Sequence, residues 1–211
     1  MNCQCEGIEL EFNKEVAEND LASYLKKGPQ NTTQQLVTEL IRQGVGGLTL
    51  LDIGGGIGAI QYELLKAGVI RVTSVDASKA YIETARKEAT RRGLVDKIEY
   101  MHGDFISLAE DVHAADIVTL DRVLCCYHNM EDLVSLSAAR AGKLYGLVYP
   151  RDTWWAKVGI AVINFFLHLR RCPFRSFVHP TQSVEALLSD SGFKPRFYQQ
   201  NWIWQVRVYA R

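Results

Sequence analysis

Charge of one sign is what this 211-residue chain most plainly lacks: 24 lysines and arginines balance 24 aspartates and glutamates. No long Lys/Arg run occurs either, so a broad phosphate-facing surface is not expected, and nucleic acid is not the expected partner. Apolar runs are short. The longest, residues 158–169, contains Asn164 and His168 and falls well below the roughly 20 residues a bilayer-spanning helix needs. The opening Met-Asn-Cys-Gln-Cys-Glu has neither the basic nor the apolar region of a secretory signal, so a cytoplasmic setting is expected. The five cysteines fit no standard zinc spacing. Cys3-x-Cys5 lies far from Cys125-Cys126 and His128, and the set reads as free, reduced thiols with no metal site.

The chain is instead organised around Leu48 to Ile60. Leu48 to Ile53 are apolar except for Thr49 and Asp52, which suits a strand buried on both faces of a parallel sheet. Gly54, Gly56 and Gly58 then permit positive φ and a close approach of ligand to backbone, and Ile60, Leu64 and Leu65 open a helix. A strand, a tight turn and a helix N-terminus also fit a dinucleotide, since Gly54, Gly56 and Ala59 satisfy the G-x-G-x-x-G/A pattern with Asp76 at the ribose distance. Asp52 separates the two readings. A carboxylate at the strand end repels a pyrophosphate and favours a ligand carrying an ammonium and a sulfonium.

Asp52-x-Gly54-x-Gly56-x-Gly58 resembles motif I of the class I S-adenosylmethionine-dependent methyltransferases. The resemblance runs from Thr49 to Arg211, apart from one insertion. Asp76, ending the second strand, is placed to accept hydrogen bonds from both ribose hydroxyls, with Ala77 beside it and Ser78 available to cap the next helix. His102-Gly103-Asp104-Phe105 matches the family's Gly-Asp-aromatic turn, which implies Asp104 for the adenine amine and the apolar neighbour Phe105 against the ring. Asp121, at the end of the fourth strand, is placed to hold the methionine ammonium, directly or through a water. Tyr127 and His128 then border the acceptor as candidate catalytic residues, although His128 also suits a surface turn before the helix cap Asn129.

Two helices precede the first strand. One carries Phe12, Val16, Leu21, Tyr24 and Leu25 and ends at Gly28-Pro29, and the other is capped by Asn31 or Thr32 and closes at Gly44. In the resembled family such a segment commonly folds over the cofactor, making Tyr24 and Lys27 candidate lid residues; padding of the sheet edge is the alternative. About 28 residues separate the fifth strand from the last helix, too many for an ordinary connection. They include Trp154-Trp155 and the apolar run, with Lys157, Arg170 and Arg171 close by. This insertion reads as a substrate-covering helix whose aromatics line an apolar acceptor pocket, with Arg151, Arg175 or His179 at its polar edge. A membrane-interface helix (peripheral contact through 154–171) and a packing or dimer helix are the alternatives.

The expected fold is a single α/β domain over 1–211, a three-layer αβα sandwich. Its sheet has seven strands, six parallel and one antiparallel, closed by a C-terminal hairpin around Gln200-Asn201. The expected parts are an N-terminal helical lid (1–47), a cofactor core (48–151), the insertion (152–180), and a last helix with the hairpin (181–211). The expected activity is methyl transfer from S-adenosylmethionine to a small, apolar or aromatic acceptor, leaving S-adenosylhomocysteine (SAH). Magnesium-porphyrin methyltransferases have a comparable core. A catalytically silent S-adenosylmethionine-binding protein and an NAD-dependent oxidoreductase are the rivals, and the second leaves Asp52 and the closing hairpin without an explanation.

Overall fold

Alternation along the strands decides which helices cover which face of the sheet. The computed structural model describes residues 3–211, with side chains from residue 7 onward. Helices α1 (Cys3–Glu11), α2 (Lys14–Lys27) and α3 (Asn31–Gln43) precede strand β1 (Thr49–Ile53). The chain continues through α4 (Ala59–Lys66), β2 (Arg71–Asp76), α5 (Lys79–Arg91), β3 (Ile98–His102), α6 (Phe105–Leu108), β4 (Ala115–Asp121), α7 (Met130–Arg140) and β5 (Ala141–Pro150). Last come α8 (Trp154–Leu169), α9 (Thr181–Asp190), β6 (Lys194–Gln200) and β7 (Trp204–Ala210).

The sheet runs β3-β2-β1-β4-β5-β7-β6. Strands β1 to β5 are mutually parallel, and β7 lies antiparallel to both β5 and β6, so six strands point one way and one the other. On β1, Leu50 points into a core shared with α2 to α5, while Leu51 and Ile53 point into a second core shared with α6, α7 and α9. This is the period-two signature of a strand covered on both faces, and it yields the three expected layers. Strand order reverses between β1 and β4, which opens a crevice at their carboxyl ends.

The N-terminal region holds three helices rather than two. Phe12 lies between α1 and α2, where the Asn13 side chain accepts hydrogen bonds from the backbone N–H groups of Glu15 and Val16 and so starts a new helix. The cap expected for α3 at Asn31 or Thr32 is also corrected. Gln30 takes that position without a side-chain bond, because Thr32 and Thr33 turn inward to partners on the far side of the crevice. Ser78 and Asn129 do cap α5 and α7. The closing hairpin turns at Asn201, whose side-chain oxygen accepts from the Ile203 and Trp204 backbone N–H groups.

Helix α3 is a core element. Leu36, Val37 and Leu40 are buried, and the Leu36 side chain occupies the space that a Cβ on Gly146 of β5 would fill. Leu36→Ala is therefore expected to lower the unfolding free energy by about 2–5 kcal/mol, against less than about 0.5 kcal/mol for the half-exposed Leu25→Ala. Urea unfolding of the two variants checks this.

Candidate functional site

The site starts from a polar row laid across three strands. Register puts Asp52 of β1 beside Ser74 of β2 and Thr119 of β4, all on the face covered by α4. Thr119 Oγ1 donates to Asp52 Oδ1 at 2.7 Å. Gln61 Nε2, from the third residue of α4, donates to Asp52 Oδ2 at 3.0 Å and to Ser74 Oγ at 2.9 Å. Asp52 is buried and its partners are neutral, so desolvation pushes its carboxyl up to about 7 despite the two hydrogen bonds.

The glycine turn lies on this row. A Cβ on Gly55 would come within 2.3 Å of Gln61 Nε2 and 2.9 Å of Asp52 Oδ2, so the position between the two motif glycines is the most tightly restricted by the buried network. Gly54 and Gly56 have φ of 65° and 55°, and a Cβ on Gly54 would meet the Val123 side chain at 2.3 Å. Gly58 is different: it begins α4 with φ 86° and packs against the Tyr62 ring, behind the turn and outside the cavity.

A cavity of about 260 Å³ opens above the turn at the carboxyl ends of β1, β2 and β4. Of the residues singled out in the sequence, Tyr24, Asp52, Gly54, Gly56, Asp76, Ala77, Phe105, Asp121 and Tyr127 line it. Asp76 accepts from the Gly56 N–H at 2.9 Å and the Ser78 N–H at 2.8 Å, which ties the strand end to the turn and leaves further lone pairs toward the cavity. Asp121 Oδ2 accepts from Thr33 Oγ1, while its Oδ1 is buried with no hydrogen bond. Burial raises the carboxyls of both, against the pull of these backbone donors on Asp76 and of the Arg122 cation on Asp121.

Several expectations are corrected. Asp104 does not line the cavity. It caps α6 at the Ile106 N–H and accepts the Tyr127 hydroxyl at 2.8 Å, so it backs the wall that Phe105 and Tyr127 present. His128 is exposed and outside the cavity, its ring edge against Phe177, because the Asn129 cap turns the chain outward into α7. Lys27 is exposed on the last turn of α2. No residue of 151–180 lines the cavity: α1 and α2 roof it instead, through Ile8, Phe12, Asp20, Ser23 and Tyr24. Arg151 and Arg175 spend their guanidinium groups on backbone carbonyls. His179 Nε2 lies 3.0 and 2.9 Å from the carbonyl oxygens of Leu124 and Tyr127, so it carries the proton and braces that loop. Cys125 and Cys172 are free thiols, Cys126 Sγ lies 4.0 Å from Cys125 Sγ, and the side chains of Cys3 and Cys5 lie outside the described residues.

Gly55, Gln61, Thr119, Thr33 and Arg122 are the site residues that motif reading missed. Arg122 follows β4 with φ 61°, uncommon outside glycine, and donates to Thr32 Oγ1 at 2.8 Å across the crevice. Only its position directly after Asp121 marked it in the sequence.

A family model described as a methyltransferase domain matches residues 51–147, the segment that builds the polar row, the glycine turn and the strand tips around the cavity. That match, over a little less than half of the chain, supports a methyltransferase domain of the class I S-adenosylmethionine-dependent kind in this segment. Among curated methyltransferases the chain is 32% identical over 76 residues to the ribosomal protein L11 methyltransferase of Desulforamulus reducens, covering 35% of this chain and 25% of that protein. To the ribosomal protein L11 methyltransferase of Alteromonas mediterranea it is 29% identical over 120 residues, covering 54% of this chain and 41% of that one. The chain thus spans between a quarter and about two fifths of these two relatives. In fold the chain is similar to magnesium protoporphyrin IX methyltransferase from Synechocystis PCC 6803, solved with bound SAH, with a TM-score of 0.74, 21% identity and 99% of both chains covered.

The raised Asp52 carboxyl sets a pH dependence for the stability of this protein. A carboxyl whose folded pKa exceeds its unfolded value favours folding fully below about 3.8 and loses that contribution as pH climbs through about 7. Asp52→Asn keeps an acceptor for Gln61 and a partner for Thr119 without the charge. Its Tm advantage over the parent is expected to be larger at pH 8 than at pH 5, by on the order of 5 °C. Thermal melts at the two pH values decide; a constant difference contradicts the assignment.

Proposed function

We propose that this chain binds S-adenosylmethionine across the tips of β1, β2 and β4 and transfers its methyl group to a small, largely apolar or aromatic acceptor. The observation that carries the reading is Asp121 Oδ1, a buried acceptor without a hydrogen bond in a cavity that also gathers the glycine turn, Asp76 and Phe105. In this reading Asp76 takes the ribose hydroxyls, Phe105 and Ala77 pack on the adenine side, and Asp121 Oδ1 receives the ammonium. Asp104 supports Tyr127 and reaches the adenine amine only if that hydroxyl yields. Tyr24 belongs to the roof, where its hydroxyl donates to Glu63 and burial raises its pKa to about 12. Buried carboxylates beneath a cationic ligand supply the electrostatic fit, and Ile8, Phe12, Ile57 and Val123 give the cavity its apolar walls.

The sulfonium, when bound, supplies a methyl group on an excellent leaving group. The protein's part is to align the acceptor in line with it and to keep water out. The Tyr127 hydroxyl is engaged with Asp104 and His128 stands outside, which favours an acceptor atom that already carries a free lone pair. The same fact favours, as second reading, a protein that binds the cofactor and turns nothing over.

Titration calorimetry with SAH is expected to show binding in the micromolar range. Asp76→Ala should weaken it at least tenfold, the loss of hydrogen bonds to a charged acceptor being worth about 1.5–3 kcal/mol. No uptake by folded protein sinks the proposal. Uptake without methyl transfer from labelled S-adenosylmethionine to any of a panel of aromatic acids, phenols and amines selects the second reading.

A further inference from the structure

The insertion helix carries a surface that the cavity does not use. Of the sixteen residues of α8 only Ala156 and Leu167 are buried. They face the fold: Leu167 joins Ile8, Ala77, Cys172 and Phe174 in a small core beside the roof, and the Asn164 side chain is held by the Ser176 backbone. Trp154, Val158, Val162, Phe165, Phe166 and Leu169 recur at helical spacing on the opposite side, each more than half exposed. Trp202, 73% exposed in the β6–β7 turn, extends the stripe, with its ring stacked on Trp155 at 5.5 Å. A soluble monomer rarely leaves an apolar surface of this extent in water.

Charge identifies what covers it. Between Asp152 and Glu185 the chain has no acidic residue, yet it carries Lys157, Arg170, Arg171 and Arg175. Lys157 is paired with Asp152 and Arg175 with backbone carbonyls, while Arg170 and Arg171 stand exposed where α8 ends. A second copy of this face would add basic charge to basic charge, since the carboxylates nearest the stripe, Asp152 on Lys157 and Glu11 at Cys172, are already engaged within the fold. An anionic bilayer satisfies both halves of the pattern: acyl chains take the stripe, tryptophans sit at headgroup level, and the arginines meet lipid phosphate. At sixteen residues the helix is about 24 Å long, too short to cross, and no helix among the described residues is long and apolar enough to do so.

We infer that α8 and Trp202 form a docking surface for an anionic membrane, on which the protein lies with α8 in the plane of the interface. Binding then scales with both the apolar stripe and the two arginines. It also sets the small core beside the cavity roof next to the bilayer.

Co-sedimentation of the whole chain with vesicles tests this, using phosphatidylcholine alone and phosphatidylcholine with about 30 mol % phosphatidylglycerol at about 0.1 M salt. The expected results are retention on the mixed vesicles at least about tenfold stronger than on the neutral ones, and a blue shift of tryptophan emission. Val162→Glu with Phe166→Glu should abolish retention. Arg170→Glu with Arg171→Glu should reduce it to the neutral-vesicle level, and both double variants should keep the parent's Tm and SAH uptake. Folded parent left in the supernatant with both vesicle types, or equal retention on both, overturns the inference. So does a dimer in analytical ultracentrifugation that Phe166→Glu dissociates, since a second copy would then be the cover. Because SAH uptake is read separately, failure here leaves the cofactor assignment standing.

Discussion

A carboxyl group buried on a sheet with no cation beside it is the constraint on which the rest of the site depends. Asp52 is nearly inaccessible, and Thr119 and Gln61 satisfy its oxygens without neutralising a charge. Such an arrangement is costly whenever the carboxyl ionises, and both carboxyl oxygens are met by donors drawn from β4 and α4, although Gln61 Oε1 is left buried without a partner. Its geometry passes upward. Gln61 must sit close under the turn to reach both Asp52 and Ser74, and only a residue without a Cβ leaves it room at Gly55. The turn is thereby fixed from below by hydrogen bonds and from the side by Asp76, whose carboxylate holds the Gly56 amide. Any cation that settles above the turn lowers the cost of ionising Asp52, so ligand binding and proton loss there are linked.

The roof is attached in another way. Helix α2 buries only Ala17 and Tyr24. Side-chain hydrogen bonds add to this packing: Tyr81 to Asp20, Tyr24 to Glu63, and Ser78 to the carbonyl of Phe12. Each such bond contributes about 1 kcal/mol net, far less than the burial that anchors α3. The cavity under this roof, about 260 Å³, sits below the roughly 300–1,000 Å³ of most ligand clefts. A rigid floor and a lightly attached cover therefore divide the labour, with α3 belonging to the floor although it precedes β1 in sequence.

This division also explains what the sequence revealed. The strands, the glycine turn and the acids at the strand tips were legible because each depends on neighbours within a few residues: period-two alternation, positive φ, and position relative to a strand end. Asp76, Phe105 and Asp121 line the cavity for that reason. The partners of Asp52 were not legible, since Ser74 and Thr119 look like ordinary strand residues until register places them beside it. Gly55 passed as filler for the same reason. Position along the chain misled for His128, where a local signal, the Asn129 cap, outweighed nearness to the cavity wall. Amphipathic spacing found α8 but not its orientation, because one apolar stripe fits a cavity and an outer surface equally well. The side that packs was set by Leu167, Asn164 and the strap that follows, contacts made only after folding.

Net charge misleads in a similar way. A sum of zero argued against a broad polyanion-binding surface. But a sum records how many charges there are, not where they lie. Four aspartates, Asp20, Asp52, Asp76 and Asp121, converge on one cavity, while 32 consecutive residues from 153 to 184 hold no acid at all. Fields act over about a Debye length, roughly 8–10 Å in physiological salt, so each region is felt by what touches it and hardly by the compensating charges across the molecule. Burial sharpens the contrast on the cavity side, where low dielectric strengthens the pull on a cation as it raises the pKa values of Asp52, Asp76 and Asp121. On the α8 side the arginines stay in water, where salt weakens them and only several acting together with an apolar face have effect. A balanced composition is thus compatible with two charge-selective surfaces of opposite sign, provided the fold keeps them more than a screening length apart.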